Sequence, residues 1–220
     1  MQALIFDFDG VLIESEYEGN RHLADLLTDL GHPTSIEEAL THFTGLSGGD
    51  FIAAVEARIG AKLPEEFHTR RAAEDDRVLR DGLPAVAGAI TFLRSLPLDL
   101  PKAVASSSQV RWVGTHLGNL GLADVFGDHV YSGREHVARG KPAPDLYLYV
   151  ADRLGVPIAG CTIIEDSEVG AKGAVASGAR VIGLVAGSHC LPGHEARLRS
   201  LGVLEIAYSF DDVNRLLGLS

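Results

Sequence analysis

The stretch LIFDFDGVLIES, residues 4–15, carries an apolar segment toward the protein interior and ends it with two aspartates. Residues 4–6 are all apolar, and Asp7 and Asp9 follow almost at once. A carboxylate is costly to remove from water unless it is paired, hydrogen-bonded or bound to a cation. The sequence therefore predicts that positive charge lies beside the two aspartates.

Short apolar runs recur along the chain between segments of helical pattern. Continuous hydrophobicity is typical of strands buried on both faces, and strands that alternate with helices indicate right-handed βαβ units. We therefore expect an α/β fold whose core is a doubly wound, Rossmann-like parallel sheet. The predicted strands cover residues 3–6, 102–106, 129–132, 161–164, 180–185 and 203–208.

Residues 16–81 interrupt this rhythm, because the segment has helical patterns and no strand pattern. Gly31 and Gly60 stand where helix C-caps are expected. We predict a core domain made of residues 1–15 and 82–220, with a helical cap domain, residues 16–81, inserted between its first two strands.

The amino-acid composition limits the classes of molecule that this protein is expected to bind. With 19 basic and 30 acidic side chains the net charge is −11, which disfavours nucleic acid and anionic membranes. No export signal or membrane-spanning segment is predicted. The two cysteines match no metal or redox spacing. We expect a cytoplasmic monomer that binds a small anionic substrate at a local positive site.

Polar groups follow three more predicted strands, and ligands of parallel sheets bind beyond the carboxyl ends of the strands. Residues 106–108 are serines that precede a helix, so they suit either a phosphate or an ordinary N-cap. Lys141 lies between a glycine and a proline, which favours a positioned charge over a solvated one. Glu165 and Asp166 suit a hard cation such as Mg²⁺, although one of them could be a helix cap.

Four segments in this order, DFDGVLIES, VASSS, GKPAPD and IIEDSEVG, resemble the motifs of the haloacid dehalogenase-like hydrolases. The resemblance covers essentially the whole chain and points to the branch with a helical cap after the first motif. Within that branch the chain is similar to the beta-phosphoglucomutase-like and sugar phosphatase group, and to the 6-phosphogluconate phosphatase type.

The resemblance implies a magnesium-dependent phosphomonoester hydrolase that acts on a small phosphorylated metabolite. Asp7 matches the nucleophile that becomes an aspartyl phosphate, and Asp9 matches the general acid and base. Ser106 would hold phosphoryl oxygens, and Lys141 would offset charge. Phosphate contacts are also expected at Gly10 and Ser107, and metal contacts at Asp7, Asp9 through its carbonyl, Glu165 and Asp166.

Three other functions are alternatives to phosphomonoester hydrolysis. The family's phosphomutases carry a cap histidine where this chain has Gly19, with His22 nearby but out of register. Haloacid dehalogenases lack an aspartate at the position of Asp9. A non-catalytic binding module would be favoured by loss of a motif residue, and none is lost. Phosphomutase is therefore the main alternative.

Substrate choice is expected in the cap, at Glu16 and Arg21 and in a loop containing Gly45 and Ser47. Glu14 replaces the aspartate usual in the first motif, a departure from the family pattern that bears on substrate preference. Two further features are interpreted as structural. They are Trp112, as a packing residue, and the segment with His189, Cys190 and His194, as a surface or pocket-rim loop.

Overall fold

The computed structural model describes residues 1–44, 46 and 48–219. In this part of the chain six strands form one sheet, and every neighbouring pair is parallel. The strands are β1 (Ala3–Phe6), β2 (Lys102–Ser106), β3 (Val130–Ser132), β4 (Cys161–Glu165), β5 (Arg180–Leu184) and β6 (Glu205–Ala207). Their order is β3-β2-β1-β4-β5-β6, so the chain reverses direction of winding at β1 and the predicted α/β class is confirmed.

Helices connect the strands, and a short 3-10 helix at Ile158–Gly160 precedes β4. None of the helices in the described residues combines the length and the apolar character needed to cross a membrane. The α-helices are α1 (Ser15–Asp29), α2 (Ile36–Phe43), α3 (Gly48–Ile59), α4 (Glu65–Asp81), α5 (Ala89–Ser95), α6 (Val110–Asn119), α7 (Ala123–Phe126), α8 (Asp145–Arg153), α9 (Glu168–Ser177), α10 (His194–Ser200) and α11 (Phe210–Leu217).

The central strand β1 is buried along its whole length. Side chains alternate between the faces of a strand, so Ile5 packs in the core cluster under α8 and α9 while Phe6 points to the other face. The Phe6 ring contacts Phe92 of α5 edge-on at 6.2 Å and Phe126 of α7 at 5.9 Å. Burial on both faces explains why the sequence of β1 is continuously apolar.

The described chain divides into two compact units, Met1–Glu14 with Pro84–Ser220, and Ser15–Leu83. The first unit contains the sheet. The second contains α1 to α4 and has an apolar cluster of its own, which includes Leu27, Phe43 and Phe67. Each unit therefore has the buried core that a separate folding unit needs.

Candidate active site

The carboxyl end of β1 lies beside that of β4. Phe6, the last residue of β1, is paired with Ile164. The backbone N–H of Asp7 donates to the carbonyl oxygen of Ile164 at 2.9 Å, which extends the pairing beyond the strand. Asp7 is therefore fixed next to Glu165, the last residue of β4, as expected when parallel strands end at one edge.

Lys141 forms two buried ion pairs at this edge. Its Nζ lies 2.5 Å from Oδ1 of Asp7 and 2.6 Å from Oε1 of Glu165, and its side chain is 2% exposed. Burial alone lowers the pKa of Lys141, but Asp7 and Glu165 outweigh burial and raise that pKa well above its usual value. The lysine therefore stays protonated and holds one oxygen of Asp7.

Both carboxylate oxygens of Glu165 accept hydrogen bonds. Oε1 accepts from Lys141 and from the hydroxyl of Tyr147 at 2.9 Å, and Oε2 accepts from the backbone N–H and the hydroxyl of Ser167 at 2.9 and 3.0 Å. Helix α9 approaches closely because Gly170 has no Cβ, which would overlap the Glu165 carboxylate. In this arrangement Glu165 anchors Lys141, and its role as a metal ligand stays a prediction.

The acidic groups at this edge fit a hard divalent cation. Carboxylate oxygens of Asp7, Glu165 and Asp166 lie within 4.8 Å of one another, and their three charges exceed the one positive charge of Lys141. Burial raises the pKa of Asp7, and the neighbouring carboxylates add to that rise while Lys141 opposes it. Oδ1 of Asp166 is buried and accepts no hydrogen bond from the described residues. Such an oxygen-rich cluster suits Mg²⁺.

Asp9 is held by donors from the last residue of β2 and from the segment that follows it. Its Oδ2 accepts from the hydroxyl of Ser108 at 2.7 Å and from that of Ser106 at 3.3 Å, and its Oδ1 accepts from the indole N–H of Trp112 at 3.1 Å. Ser106 is fully buried, and its hydroxyl also accepts from the backbone N–H of Ser108 at 2.8 Å. Ser107 is exposed. Ser106 therefore orients Asp9 in this structure, while Ser107 faces solvent.

Trp112 was expected only to pack, and its hydrogen bond to Asp9 corrects that interpretation. The indole N–H is a donor that usually finds a partner when buried. Trp112 lies in the first turn of α6, directly after the serine run, and this position was the signal that sequence reasoning missed.

His116 packs edge-on against Trp112, with ring centroids 4.3 Å apart. It is fully buried, and neither ring nitrogen has a hydrogen-bond partner among the described residues. Burial lowers the pKa of His116 below its usual 6.5, and the charge of Asp9 opposes this only in part. The folded protein therefore holds this imidazole in its neutral form.

The low pKa of His116 predicts acid sensitivity. Below pH 6.5 the unfolded chain binds a proton that the folded protein does not, so folding stability should fall as pH decreases. His116→Leu should show a shallower decrease, by up to about 1.4 kcal/mol per pH unit. Urea unfolding from pH 7 downward measures both slopes, and equal slopes would refute this assignment.

Two histidines of the loop after β5 are buried beside Asp166, which corrects the surface position expected for them, while Ser188, Pro192 and Gly193 of the same loop are exposed. Nε2 of His189 lies 2.8 Å from Oδ2 of Asp166, and both side chains are 2% exposed. Nε2 of His194 lies 2.6 Å from the backbone oxygen of Asp166. Burial lowers the pKa of His189, but hydrogen bonds to Asp166 and Cys190 raise it to about 11.

Cys190 completes a cluster with these two histidines, and the three offer ligand atoms within 4.8 Å of one another. Burial raises the pKa of the Cys190 thiol, but His189 and His194 outweigh it, and the pKa falls below its usual value. The Nε2 atoms of both histidines are already used by Asp166. The two histidines of the cluster therefore support Asp166, and Sγ of Cys190 lies 3.5 Å from Nε2 of His189.

Glu14 lies at the end of the first motif and binds the same loop. Its carboxylate accepts from the backbone N–H of Ser188 at 2.9 Å and from the hydroxyl of Ser188 at 3.1 Å. The glutamate that replaces the usual aspartate therefore has an identified partner.

Two of the four cap positions expected to contact substrate, Glu16 and Arg21, have contacts within their own unit. Arg21 of α1 pairs with Glu18 at 2.6 Å and remains about half exposed. Glu16 is partly buried, and its backbone oxygen accepts from Asn20 at 2.8 Å. Gly45 and Ser47 lie outside the described residues. The roles of these four positions remain predictions.

Comparison with known proteins shows the family to which the chain is similar. Residues 1–178 match the sequence profile of a hydrolase family, the haloacid dehalogenase-like hydrolases. The chain is similar to the 6-phosphogluconate phosphatase of Escherichia coli (strain K12), with 28% identity over 87% of this chain and 86% of that protein. It is also similar to the phosphorylated carbohydrates phosphatase of Thermotoga maritima, with 31% identity over 84% of this chain and 86% of that protein.

A solved structure is similar over nearly the full length. It is a HAD family hydrolase from Deinococcus radiodurans R1 with bound phosphate and sodium, and the TM-score is 0.87 at 30% identity. The similarity covers 100% of this chain and 96% of that one.

Proposed function

This chain belongs to the haloacid dehalogenase-like hydrolases, and we propose that it is a magnesium-dependent phosphomonoester hydrolase that works through phosphorylated Asp7. The observation that carries the proposal is the difference between two nearby carboxylates. Asp7 is buried against Lys141, whereas Asp9 is held by hydroxyl and indole donors. Different surroundings suit the two carboxylates to different roles.

The first step joins Asp7 to phosphorus. Lys141 binds Oδ1 of Asp7, so we assign the attack to Oδ2. As the new P–O bond forms, the ester P–O bond breaks, and Asp9 gives a proton to the departing oxygen. Lys141, fixed by Glu165, offsets negative charge as the phosphoryl group approaches.

The second step returns Asp7 to its starting state. Asp9, now ionised, takes a proton from water as the water oxygen attacks phosphorus. The bond between phosphorus and Asp7 breaks, and inorganic phosphate leaves. Asp9 is protonated again and is ready for the next substrate.

Mg²⁺ would be held by Asp7, the Asp9 carbonyl and Asp166, whose Oδ1 has no hydrogen-bond donor among the described residues. When bound, it supplies positive charge that stabilises the transferring phosphoryl group. We leave Glu165 out of this ligand set because its oxygens accept from Lys141, Tyr147 and Ser167.

We assign the phosphate contacts to exposed Ser107 and to backbone groups near Gly10, because the hydroxyl of Ser106 is engaged by Asp9. The substrate class is a small phosphorylated sugar or sugar acid. This class is supported by the names of two relatives and by the net charge of −11, which disfavours polyanions. Selection among such substrates is assigned to the cap, at Glu16, Arg21 and the loop with Gly45 and Ser47.

Trp112→Phe tests the support of Asp9. The substitution keeps an aromatic ring beside His116 but removes the donor to Oδ1 of Asp9. We expect kcat to fall by about tenfold, the effect of losing one hydrogen bond to a charged group. Steady-state kinetics and thermal unfolding check this together, and an unchanged kcat in a folded variant would exclude the role.

The test of the function is phosphate release by metal-free protein over a panel of sugar phosphates, 6-phosphogluconate and phosphoglycolate. We expect release only after Mg²⁺ is added, and its loss again with excess EDTA. Glucose 1-phosphate is also followed for conversion to glucose 6-phosphate. Isomerisation without phosphate release would favour a phosphomutase, and metal-independent release would contradict the proposed function.

A further inference from the structure

Asp166 is held at two points by histidines from the segment that follows β5. His189 binds its side chain, and His194 binds its backbone carbonyl oxygen. We propose that these two residues, the two-histidine clamp, are positioning residues that set which oxygen of Asp166 faces the metal. The inference rests on the proposed function, because it assigns a role to groups beside the proposed ligand.

The direction of the hydrogen bonds follows from their acceptors. An ionised carboxylate and a backbone carbonyl only accept, so Nε2 of each histidine must carry the hydrogen. In His194 the other nitrogen, Nδ1, lies 3.3 Å from a guanidinium nitrogen of Arg197, which can only donate. This contact fits the tautomer of His194 that carries its hydrogen on Nε2 and donates it to Asp166.

The fit around His189 leaves little freedom for its ring. A Cβ at Gly10 would collide with Oδ2 of Asp166 and approach Cε1 of His189 to 2.9 Å. A Cβ at Gly187 would lie 2.6 Å from Nδ1 of His189. Gly10 has φ of +83°, a conformation that glycine adopts without strain. The turn that carries the two catalytic aspartates therefore also makes room for the clamp.

The loop itself is tied to the first motif. Glu14 accepts from the backbone and side chain of Ser188, which directly precedes His189. Close contacts with Gly10 and Gly187 restrict the ring of His189, and the hydrogen bonds between Glu14 and Ser188 fix the backbone next to it. Few alternative rotamers of His189 remain open in such an enclosure.

The two carboxylate oxygens of Asp166 therefore have different surroundings, and this difference bears on metal binding. Oδ2 of Asp166 is engaged by His189, while Oδ1 is buried and has no hydrogen-bond donor among the described residues. Asp166 therefore presents Oδ1 to a cation. Hydrogen bonds that orient metal ligands in this way typically contribute about 10- to 100-fold to metal affinity.

His189→Gln and His189→Asn form a matched pair of amides. Glutamine can bring its NH₂ group to the place of Nε2 and still donate to Asp166, whereas asparagine is too short. We expect the Mg²⁺ dissociation constant of His189→Asn to rise by about 10- to 100-fold, while that of His189→Gln stays much nearer the wild-type value. Calorimetric titration of metal-free protein with MgCl₂, without substrate, measures this independently of turnover.

His129→Gln is the control for replacing a histidine elsewhere in the same unit, since His129 contacts Tyr131 and precedes β3. If both His189 variants bind Mg²⁺ as the wild type does, or both weaken equally, the clamp is overturned. His194→Ala, which removes the donor to the Asp166 backbone, should also bind Mg²⁺ more weakly, and it decides the matter if His189→Asn does not fold. Wild-type protein that binds no Mg²⁺ would instead overturn the proposed metal dependence, and the clamp with it.

Discussion

Asp7→Asn is expected to abolish phosphate release, with a loss of kcat of at least about 10⁴-fold. The amide keeps the size of the side chain but is a poor nucleophile toward phosphorus. The substitution also removes one negative charge from the cluster with Glu165 and Asp166. Because this lowers the repulsion between like charges, we expect the variant to stay folded. Phosphate release at saturating Mg²⁺ and thermal unfolding are the two measurements.

Asp128→Asn is the matched control, because Asp128 is exposed in the turn before β3, at the opposite end of the strands from Asp7. It should retain wild-type turnover. A folded Asp7→Asn protein that releases phosphate at more than a small fraction of the wild-type rate would rule out Asp7 as the nucleophile.

Lys141→Met should damage both activity and stability. It removes the positive charge between Asp7 and Glu165, so we expect kcat to fall by about 10³-fold. It also leaves two buried carboxylates without their partner, which should lower the free energy of unfolding by about 3–5 kcal/mol. Steady-state kinetics with Mg²⁺ measure the loss of kcat, and urea unfolding of the metal-free protein measures the loss of stability.

A double variant tests the cause of the lost stability. Adding Glu165→Gln to Lys141→Met removes one unpaired charge, so part of the stability should return while activity stays low. Lys172→Met, at an exposed position of α9, is the control and should behave as wild type. Lys141→Met with near-normal kcat would show that Lys141 takes no part in the chemistry.

The strands could be predicted because burial within a parallel sheet produces short apolar runs in the sequence. Each is short, and β1, β2 and β4 are buried along their whole length, as the centre of a parallel sheet requires. These three strands coincide closely with the predicted apolar runs. The edge of the sheet could also be predicted, since ends of parallel strands lie together. This is why Asp7, Lys141 and Asp166 were singled out from sequence.

The separate roles of Glu165 and Asp166 could not be predicted from adjacency. Neighbouring side chains at a strand end point to opposite faces, and only the structure tells which face holds which partner. Glu165 turns toward Lys141 and Tyr147, while Asp166 turns toward His189. The sequence alone therefore leads to the same prediction, a metal ligand, for both acids.

Trp112 and His189 were missed for a related reason. A tryptophan or histidine in an apolar segment is compatible with core packing, and its polar atom matters only when a distant residue reaches it. Asp9 lies 103 positions before Trp112, and Asp166 precedes His189 by a whole strand and helix. Neither pairing has a local pattern, although both residues lie just beyond strands of the sheet.

Helical periodicity and glycine caps lead to a predicted cap at residues 16–81, and the compact units of the structure divide after Glu14 and Leu83. The cap domain itself stays a prediction. Substrate choice was not predictable, because the sequence offers candidate cap positions without naming a substrate, and two of them, Gly45 and Ser47, lie outside the described residues.

The most direct test of the central claim is to look for the phosphoryl group on Asp7. Protein is acid-quenched while it turns over its best substrate with Mg²⁺, and its peptides are analysed by mass spectrometry. We predict a phosphorylated peptide that contains Asp7 and disappears in Asp7→Asn. Release of phosphate with no phosphorylated peptide, or with the phosphoryl group on another residue, would contradict the mechanism.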